Sequence, residues 1–508
     1  MSEKKEYEYG PVATNENGAE VDAVRFNTES NGVTILSQNT MVSQQNHNSQ
    51  PGDKKFLYLA ACAANLAAFT CGQAFGWTSP EIPILKSNGT ENPLGQPINP
   101  SQEGWIGSFL PLGAMLGPFA AGMVADSLGR KKTLLVGTTP FLATFLLGAL
   151  GGSVNMYYLS RFLAGLAVGC IFTVLPMYIG EISDNETRGQ LGSFMQLFIV
   201  VGLLFSYALG PYLPFATFNY ICLGIPVVFL IYFFMRIPES PYFLVLSGNC
   251  EAAIDSLVKL RSKSRDSVQK EIEEIKLAVD DATTNKKSFF DIFKERSLTM
   301  ALVISVSLVA LQQFSGINIV LFYAQDIFTN AGVSLAPEIC TILIGIVQVI
   351  ASGVTPMLVE RKGKRFLLLL SAVGMAISQG ALGYFFYVKD GGNDVSNLSW
   401  LPVASLVLYI IAYCLGFGPL PWAVMGELFP GEIKAAASTV TASGCWLLGF
   451  LITKYFNVVT ELIGTGGSFG FFAACCLFAA GFVWKCVPET SGKSVQEILD
   501  ILGGNTKA

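Results

Sequence analysis

The chain has 508 residues, is 51% hydrophobic and only 14% charged, and carries a formal net charge of −5 with a single histidine. Soluble proteins average about 25% charged residues, so this composition, with a mean hydropathy of +0.49, excludes a soluble globule and points to a bilayer. The acidic balance offers no basic field for nucleic acid, and a lone His47 in a polar stretch excludes a histidine metal site, a Ser/His/Asp triad and a histidine proton relay.

In chain order, residues 1–54 are rich in Asn, Ser, Gln, Glu and Gly and lack an apolar h-region. They read as a disordered cytosolic N-terminal tail without a cleaved signal peptide. A YGPV stretch from Tyr9 matches a tyrosine sorting pattern, of a kind common by chance. Crossing the hydrocarbon takes roughly 20 apolar residues. Such runs occur near 56–79, 104–125, 133–153, 157–179, 190–210 and 218–236, then near 298–328, 337–359, 366–387, 401–424, 435–457 and 466–486. The expected architecture is an all-α membrane protein of twelve transmembrane helices in two six-helix lobes. Residues 55–237 form the N-lobe, 298–488 the C-lobe, and 489–508 a cytosolic C-terminal tail. Between the lobes, 238–297 is charged, and Ile254, Leu257, Val258, Ile272, Ile275 and Leu277 recur at helical spacing, so the linker is expected to be cytosolic amphipathic helices. The 11 cysteines are scattered without a C-x-x-C pair and read as small apolar side chains. No cofactor or metal is expected.

Lys and Arg set the orientation. GRKK at 129–132, Arg188, the linker, RKGKR at 361–365 and Lys434 all follow even-numbered spans, which places those loops and both termini in the cytosol. The sequons at Asn88 and Asn397 then fall outside, where glycosylation is expected, and Asn185 falls inside. The halves also repeat: DSLGRK from Asp126 matches ERKGKR from Glu360, PMYIGEISDNETRG from Pro176 matches PWAVMGELFPGEIK from Pro421, and PESP at 238–241 matches PETSG at 488–492. A duplicated six-span unit predicts a two-lobed transporter with its site near the midplane between the lobes.

Gly122 to Lys131, read as G-x-x-x-D-x-x-G-R-K, resembles the loop signature of the major facilitator superfamily. PESPY, QQFSGIN at 312–318, ERKGKR, GPLPW at 418–422 and PETSG resemble its sugar porter branch, over about residues 56 to 495. Within that branch the long polar N-terminus, GWTSPEIP and LPMYIGEI are most similar to insect facilitated trehalose transporters. The resemblance implies a non-enzymatic uniporter that moves trehalose down its gradient by alternating access. Glucose or another hexose is the runner-up substrate, and a non-transporting sugar sensor is a second class of reading. It further implies a multi-pass plasma-membrane protein, with an endosomal pool as an alternative, working as a monomer.

A neutral polyol needs amides and hydroxyls in place of water, with apolar walls for its ring faces. Span seven offers Gln312, Gln313, Ser315, Asn318 and Tyr323, with Gly316 permitting a local break. The alternative is that such amides are interhelical glue worth about 1–2 kcal/mol or less. By resemblance, Gln312, Gln313 and Asn318 bind sugar from the C-lobe, Gln196 from the N-lobe, and Gln348 stands where hexose facilitators carry Asn. Trp422 in GPLPW matches a sugar-stacking tryptophan, though a Trp near a helix end also serves as an interfacial anchor; Pro419 and Pro421 imply a discontinuous helix. Cys414 stands where hexose facilitators have Glu, and Cys445 and Gly449 where they have Asn; this suits a larger sugar or a collapsed wall. Proton-coupled relatives place an Asp in span one, and the matching Cys71-Gly72-Gln73-Ala74 has none. Asp326, Glu461 and Lys454 fall near outer ends, so facilitated diffusion is expected.

Asp126, Arg130, Lys131, Glu181, Arg188 and Glu239, with their second-half partners Glu360, Arg361, Lys364, Arg365, Glu427, Lys434 and Glu489, are expected to form a cytosolic gate. Some of these bases also serve as positive-inside anchors. The acids and bases repeated in both halves are expected to latch the lobes together when the cavity opens outward. In PESPY, Tyr242 replaces the family's usual Arg.

Overall fold

In hydrocarbon every backbone N–H and C=O must be satisfied within the protein, and a helix does this within one segment. The computed structural model describes residues 53–184, 186–284 and 289–504, and these contain helices and no strand. Residues 1–52 of the expected N-terminal tail, with its Tyr9 motif, Asn185 of the inner sequon and the last four residues lie outside the described residues. Spans one to ten are Lys55–Lys86, Pro100–Leu128, Arg130–Leu150, Val154–Ile182, Arg188–Tyr212, Phe215–Arg236, Arg296–Phe322, Pro337–Lys362, Lys364–Asp390 and Ser396–Leu428. A last stretch, Gly431–Cys486, leaves helical geometry at Gly464 (φ 76°, ψ 164°) and so holds spans eleven and twelve. The twelve spans expected from hydropathy are present.

Small residues let the helices of the N-lobe approach closely. A Cβ at Gly113 or Gly117 of span two would overlap the backbone of span four at Phe162 or Gly169. Gly72 of span one and Gly202 of span five are blocked in the same way, by Ile199 and Phe69. The C-lobe repeats the plan with spans seven to twelve. Across the lobes, span two packs on span eleven and span five on span eight.

Three spans depart from simple rods. Span one continues past Trp77 to Lys86, because Pro80 falls in the first turn of the Thr78–Lys86 segment, where no helical N–H is needed. Span seven stops at Phe314, turns at Gly316 (φ 81°) and resumes as Ile317–Phe322 and Ala324–Ala331. Span ten stops at Leu415 and resumes at Leu420, around Gly416 and Pro419. Both breaks expected from the sequence therefore occur, and both open onto the seam between the lobes.

The linker carries helices Pro241–Leu246, Cys250–Arg261 and Gln269–Thr284. Ala253, Ile254, Leu257, Val268, Ile272 and Ile275 form a small core of their own, with Tyr242 and Val258 at its edge. Leu277 is 71% exposed and lies off that stripe, contrary to its spacing. Arg261 ties the linker to span four by donating to Ile182 O at 2.7 Å. The end of the molecule on which the linker sits is called the linker face below, and the opposite end the far face.

Candidate functional site

A cavity of about 90 Å³ lies between the lobes. Span seven lines it with Gln312, Gln313 and Asn318, span five with Gln196, span eight with Gln348 and span ten with Trp422. Six of the seven residues expected to bind sugar are thus brought together from both halves. Tyr323 is not among them. It lines a second cavity of about 240 Å³ toward the far face, with Lys86, Glu103, Asp326 and Phe456.

The amides divide by what they already hold. Gln312 Nε2 donates to Phe417 O (2.6 Å) and Gly418 O (2.9 Å), the carbonyls freed where span ten unwinds, with Tyr413 Oη at 3.2 Å. Gln313 Nε2 donates to Cys445 Sγ at 3.1 Å, and its Oε1 accepts from Asn318 Nδ2 at 2.7 Å. Gln348 is 2% exposed, and its Oε1 has no partner. Gln196 is half-buried, with no hydrogen-bonding side-chain partner among the described residues. Gln348 and Gln196 are therefore free to serve a ligand, while Gln312 and Gln313 also hold the C-lobe wall in shape.

The space opposite them is closed rather than enlarged. A Cβ at Gly449 would come within 2.8 Å of Asn318 Nδ2 and 3.2 Å of Gln313 Oε1, so the amide pair occupies the room that glycine leaves. Cys414 is buried away from the cavity, accepting from Ser352 Oγ at 3.7 Å.

Sequence reasoning missed the aromatic side of the cavity. Trp446 of span eleven stacks on Phe75 of span one, centroids 6.0 Å apart, and meets Phe172 of span four edge-on at 5.7 Å. Trp446 is 5% exposed and its Nε1 has no partner. Its indole therefore offers an apolar face and one unused donor. Aromatics in apolar spans carry no periodic signal that separates them from ordinary packing, so only the fold finds this group.

Also missed was Glu81. Span one, expected to end near residue 79, continues to Lys86 and so puts Glu81 inside the span at 0% exposure, with neither carboxylate oxygen hydrogen-bonded. Its lobe also buries Arg161 of span four, 1% exposed, which donates to Ala74 O at 2.7 Å and lies over the Trp77 ring at 5.3 Å. Span one, without an acid at Cys71–Ala74, carries Glu81 in its last segment, Thr78–Lys86.

The repeated charges of the linker face are organised within each lobe. Arg130 pairs with Glu181 at 2.9 Å and with Asp126 at 3.5 Å, and Lys364 pairs with Glu427. Glu239 accepts the backbone N–H of Lys131 at 2.9 Å and so caps span three. Glu489 caps span nine in the same way, accepting from Lys364 N and Arg365 N, each at 3.1 Å. Burial works against the Glu489 carboxylate, but the N–H groups of Ser491, Lys364 and Arg365 hold it below its ordinary range. Lys131 Nζ then donates to Phe234 O at the end of span six, and Arg365 to Trp484 O near the end of span twelve. Glu360 and Arg361 are exposed, as are Arg188 and Lys434, and none of the four forms an ion pair among the described residues.

At the far face the lobes touch. Tyr207 Oη donates to Leu321 O at 2.6 Å, Gln325 N to Ser79 Oγ at 3.2 Å, and Asn457 Nδ2 to Pro100 O at 3.2 Å. Lys86 Nζ lies 3.3 Å from both Glu103 and Asp326, and Lys454 Nζ lies 4.0 Å from the centre of the Trp105 ring. Toward the linker face, a Cβ at Gly122, Gly192, Gly353 or Gly444 would meet nothing within 4 Å. The cross-lobe polar contacts named here lie at the far face, and the ion pairs of the linker face close within one lobe.

The model of the family described as sugar (and other) transporter matches residues 29–502. The facilitated trehalose transporter Tret1 of Culex quinquefasciatus is 37% identical over 442 residues, 87% of this chain and 84% of that protein. The protein of the same name from Aedes aegypti is also 37% identical over 87% of this chain. The chain spans only about half the length of that relative, 54%. Among solved structures, the inward open xylose transporter XylE from E. coli aligns with TM-score 0.72 at 24% identity, over 88% of this chain and 99% of that one. XylE bound to 6-bromo-6-deoxy-D-glucose aligns at 0.71, and the fold is that of the major facilitator superfamily.

Proposed function

The chain belongs to the sugar transporter family, and on that premise we propose that it is a uniporter carrying trehalose down its gradient by alternating access between the lobes. The observation that carries this is the cavity shared by both lobes, in which the buried Gln348 Oε1 and Trp446 Nε1 have no protein partner. Unpaired polar atoms in a dry site are costly unless a ligand completes them. A cavity of about 90 Å³ is far below the roughly 300–1,000 Å³ of small-molecule sites, so binding a disaccharide requires the lobes to move. Trehalose is favoured over glucose by the names of the relatives at 37% identity.

The chain is a multi-pass integral membrane protein. We place the linker face in the cytosol, because Arg130, Lys131, Lys364 and Arg365 crowd that end while Asn88 and Asn397 are exposed at the other. Plasma-membrane residence, cytosolic termini and glycosylation at those two positions complete the reading. One chain supplies both walls of the cavity, so a monomer suffices.

Labelled trehalose and glucose uptake into cells expressing the chain tests this, beside Gln196→Ala and with and without a pH gradient. Saturable trehalose uptake, indifferent to pH and at least about tenfold weaker in the variant, is expected. Glucose uptake alone would replace the substrate, and no uptake of either sugar at normal surface levels would favour the sensor reading. A second reading, proton-linked sugar uptake, is favoured by the buried carboxylate of Glu81. It requires uptake to follow the pH gradient and to lose that dependence in Glu81→Gln.

A further inference from the structure

Lys86 ends span one at the far face, and Glu103 opens span two beside it; both belong to the N-lobe. Asp326 lies beyond the break of span seven in the C-lobe. The ammonium of Lys86 is 3.3 Å from Glu103 Oε2 and 3.3 Å from Asp326 Oδ2, and no other cation forms an ion pair with either acid among the described residues. The acid side chains are 9% and 15% exposed, against 38% for Lys86. We propose that Lys86 is the latch of the far-face mouth, the cation that lets two mostly buried carboxylates of opposite lobes meet across the closed seam. The proposal rests on the two-lobe carrier reading above, which makes this face the outer one.

Like charges brought together out of water repel, and each has also given up hydration. With Lys86 between them both penalties are offset; without it they fall on the closed form alone, because parting the lobes returns each acid to water. The other polar contacts of the seam do not substitute for it. Lys454 sits over the Trp105 ring rather than on an acid, and Asn457 donates to a backbone carbonyl. Glu461, exposed at the rim of the same cavity, adds negative charge. The linker face has no equivalent in this state, since Arg130 and Lys364 pair within their own lobes. One side chain therefore biases which way the empty carrier faces.

Cys445 lines the central cavity and is 1% exposed, which makes it a native reporter. Full-length protein on intact cells would be treated from outside with a membrane-impermeant sulfonated methanethiosulfonate, with Cys445→Ser giving the background. Lys86→Gln is expected to raise outside labelling of Cys445 by about three- to tenfold, the span between an exposed ion pair and a half-buried one. Asp326→Asn should raise it less, because Lys86 keeps Glu103. The triple variant Lys86→Gln/Glu103→Gln/Asp326→Asn should fall back to about the Asp326→Asn rate, because the cross-lobe pair is still lost but no like charges remain to repel. Wild-type labelling in Lys86→Gln, or a triple variant labelled as fast as Lys86→Gln, overturns the latch. If Lys86→Gln fails to reach the surface, Asp326→Asn decides, and an unchanged rate there overturns it. Labelling needs no sugar flux, so absent uptake with Lys86-dependent labelling would sink the substrate and keep the latch. Normal uptake with unchanged labelling would do the reverse.

Discussion

The side-chain N–H groups of Gln312 are taken by carbonyls of the unwound part of span ten, whereas Gln348 Oε1 is buried with nothing to accept from. The two residues look alike in sequence, as amides in apolar spans, and opposite effects on stability follow from their partners. Gln312→Ala strands two buried carbonyls and should lower stability by about 1–3 kcal/mol. Gln348→Leu removes an unsatisfied acceptor and should leave stability unchanged or higher while weakening sugar uptake. Thermal unfolding of the purified variants without sugar, set beside uptake, checks both; a Gln348→Leu protein that unfolds as early as Gln312→Ala would show that Gln348 has a structural partner. The residue types of the site were legible, because polar side chains in a membrane span need a reason. Their division of labour was not, since it depends on which carbonyls a distant helix exposes. Span one outruns its expected end near residue 79 for a related cause: two prolines after Trp77 suggest the end of a helix, yet the chain continues helical through them.

At the scale of the helix, the break in span seven was visible in QQFSGIN because only glycine enters a left-handed turn at little cost. The structure adds a second constraint, for a Cβ at Gly316 would lie 2.7 Å from the Phe472 ring of span twelve. Gly316→Ala should therefore cost about 2 kcal/mol or more, combining backbone strain with overpacking. It should also lower uptake, by turning Asn318 away from Gln313. The unfolding midpoint and the uptake rate together test this, and a variant matching wild type in both would mean the turn is not needed. The repeated motifs of the two halves were equally readable, but their chemistry changed on inspection of the fold. Glu239 and Glu489 were read as gate charges, and in this state each caps the helix that follows the basic motif of its own lobe. Sequence spacing reports that acids and bases recur together; it does not report whether a pair closes within a lobe or between lobes.

For the molecule as a whole, the polar contacts that join the lobes at the far face are the seam an alternating carrier would have to open. If the cycle requires that seam to open, a covalent bridge across it stops transport. Gly104 of span two faces the backbone of Lys454 in span eleven, with a Cβ at Gly104 falling 3.3 Å from Lys454 O. A Gly104→Cys/Lys454→Cys pair, oxidised to a disulfide, should reduce sugar uptake by at least about tenfold and recover on reduction, whereas either single variant should be indifferent to oxidant. Uptake that continues through a demonstrated crosslink would remove the far-face seam from the transport cycle.

The sequence by itself determined that the chain lives in a bilayer, how many times it crosses, that its halves are duplicates, and which side chains are too polar for hydrocarbon without a partner. These properties follow from composition, helical length and local backbone preference, which act over a few residues and leave their mark in the order of the chain. Only the tertiary structure decided which amides are already engaged, that Trp446, Phe75 and Phe172 wall the cavity, that Glu81 is buried, and that Lys86 bridges acids from opposite lobes at the end where the molecule is closed. Each of these depends on residues that are far apart in sequence and meet only once the lobes pack, so no local pattern could carry them.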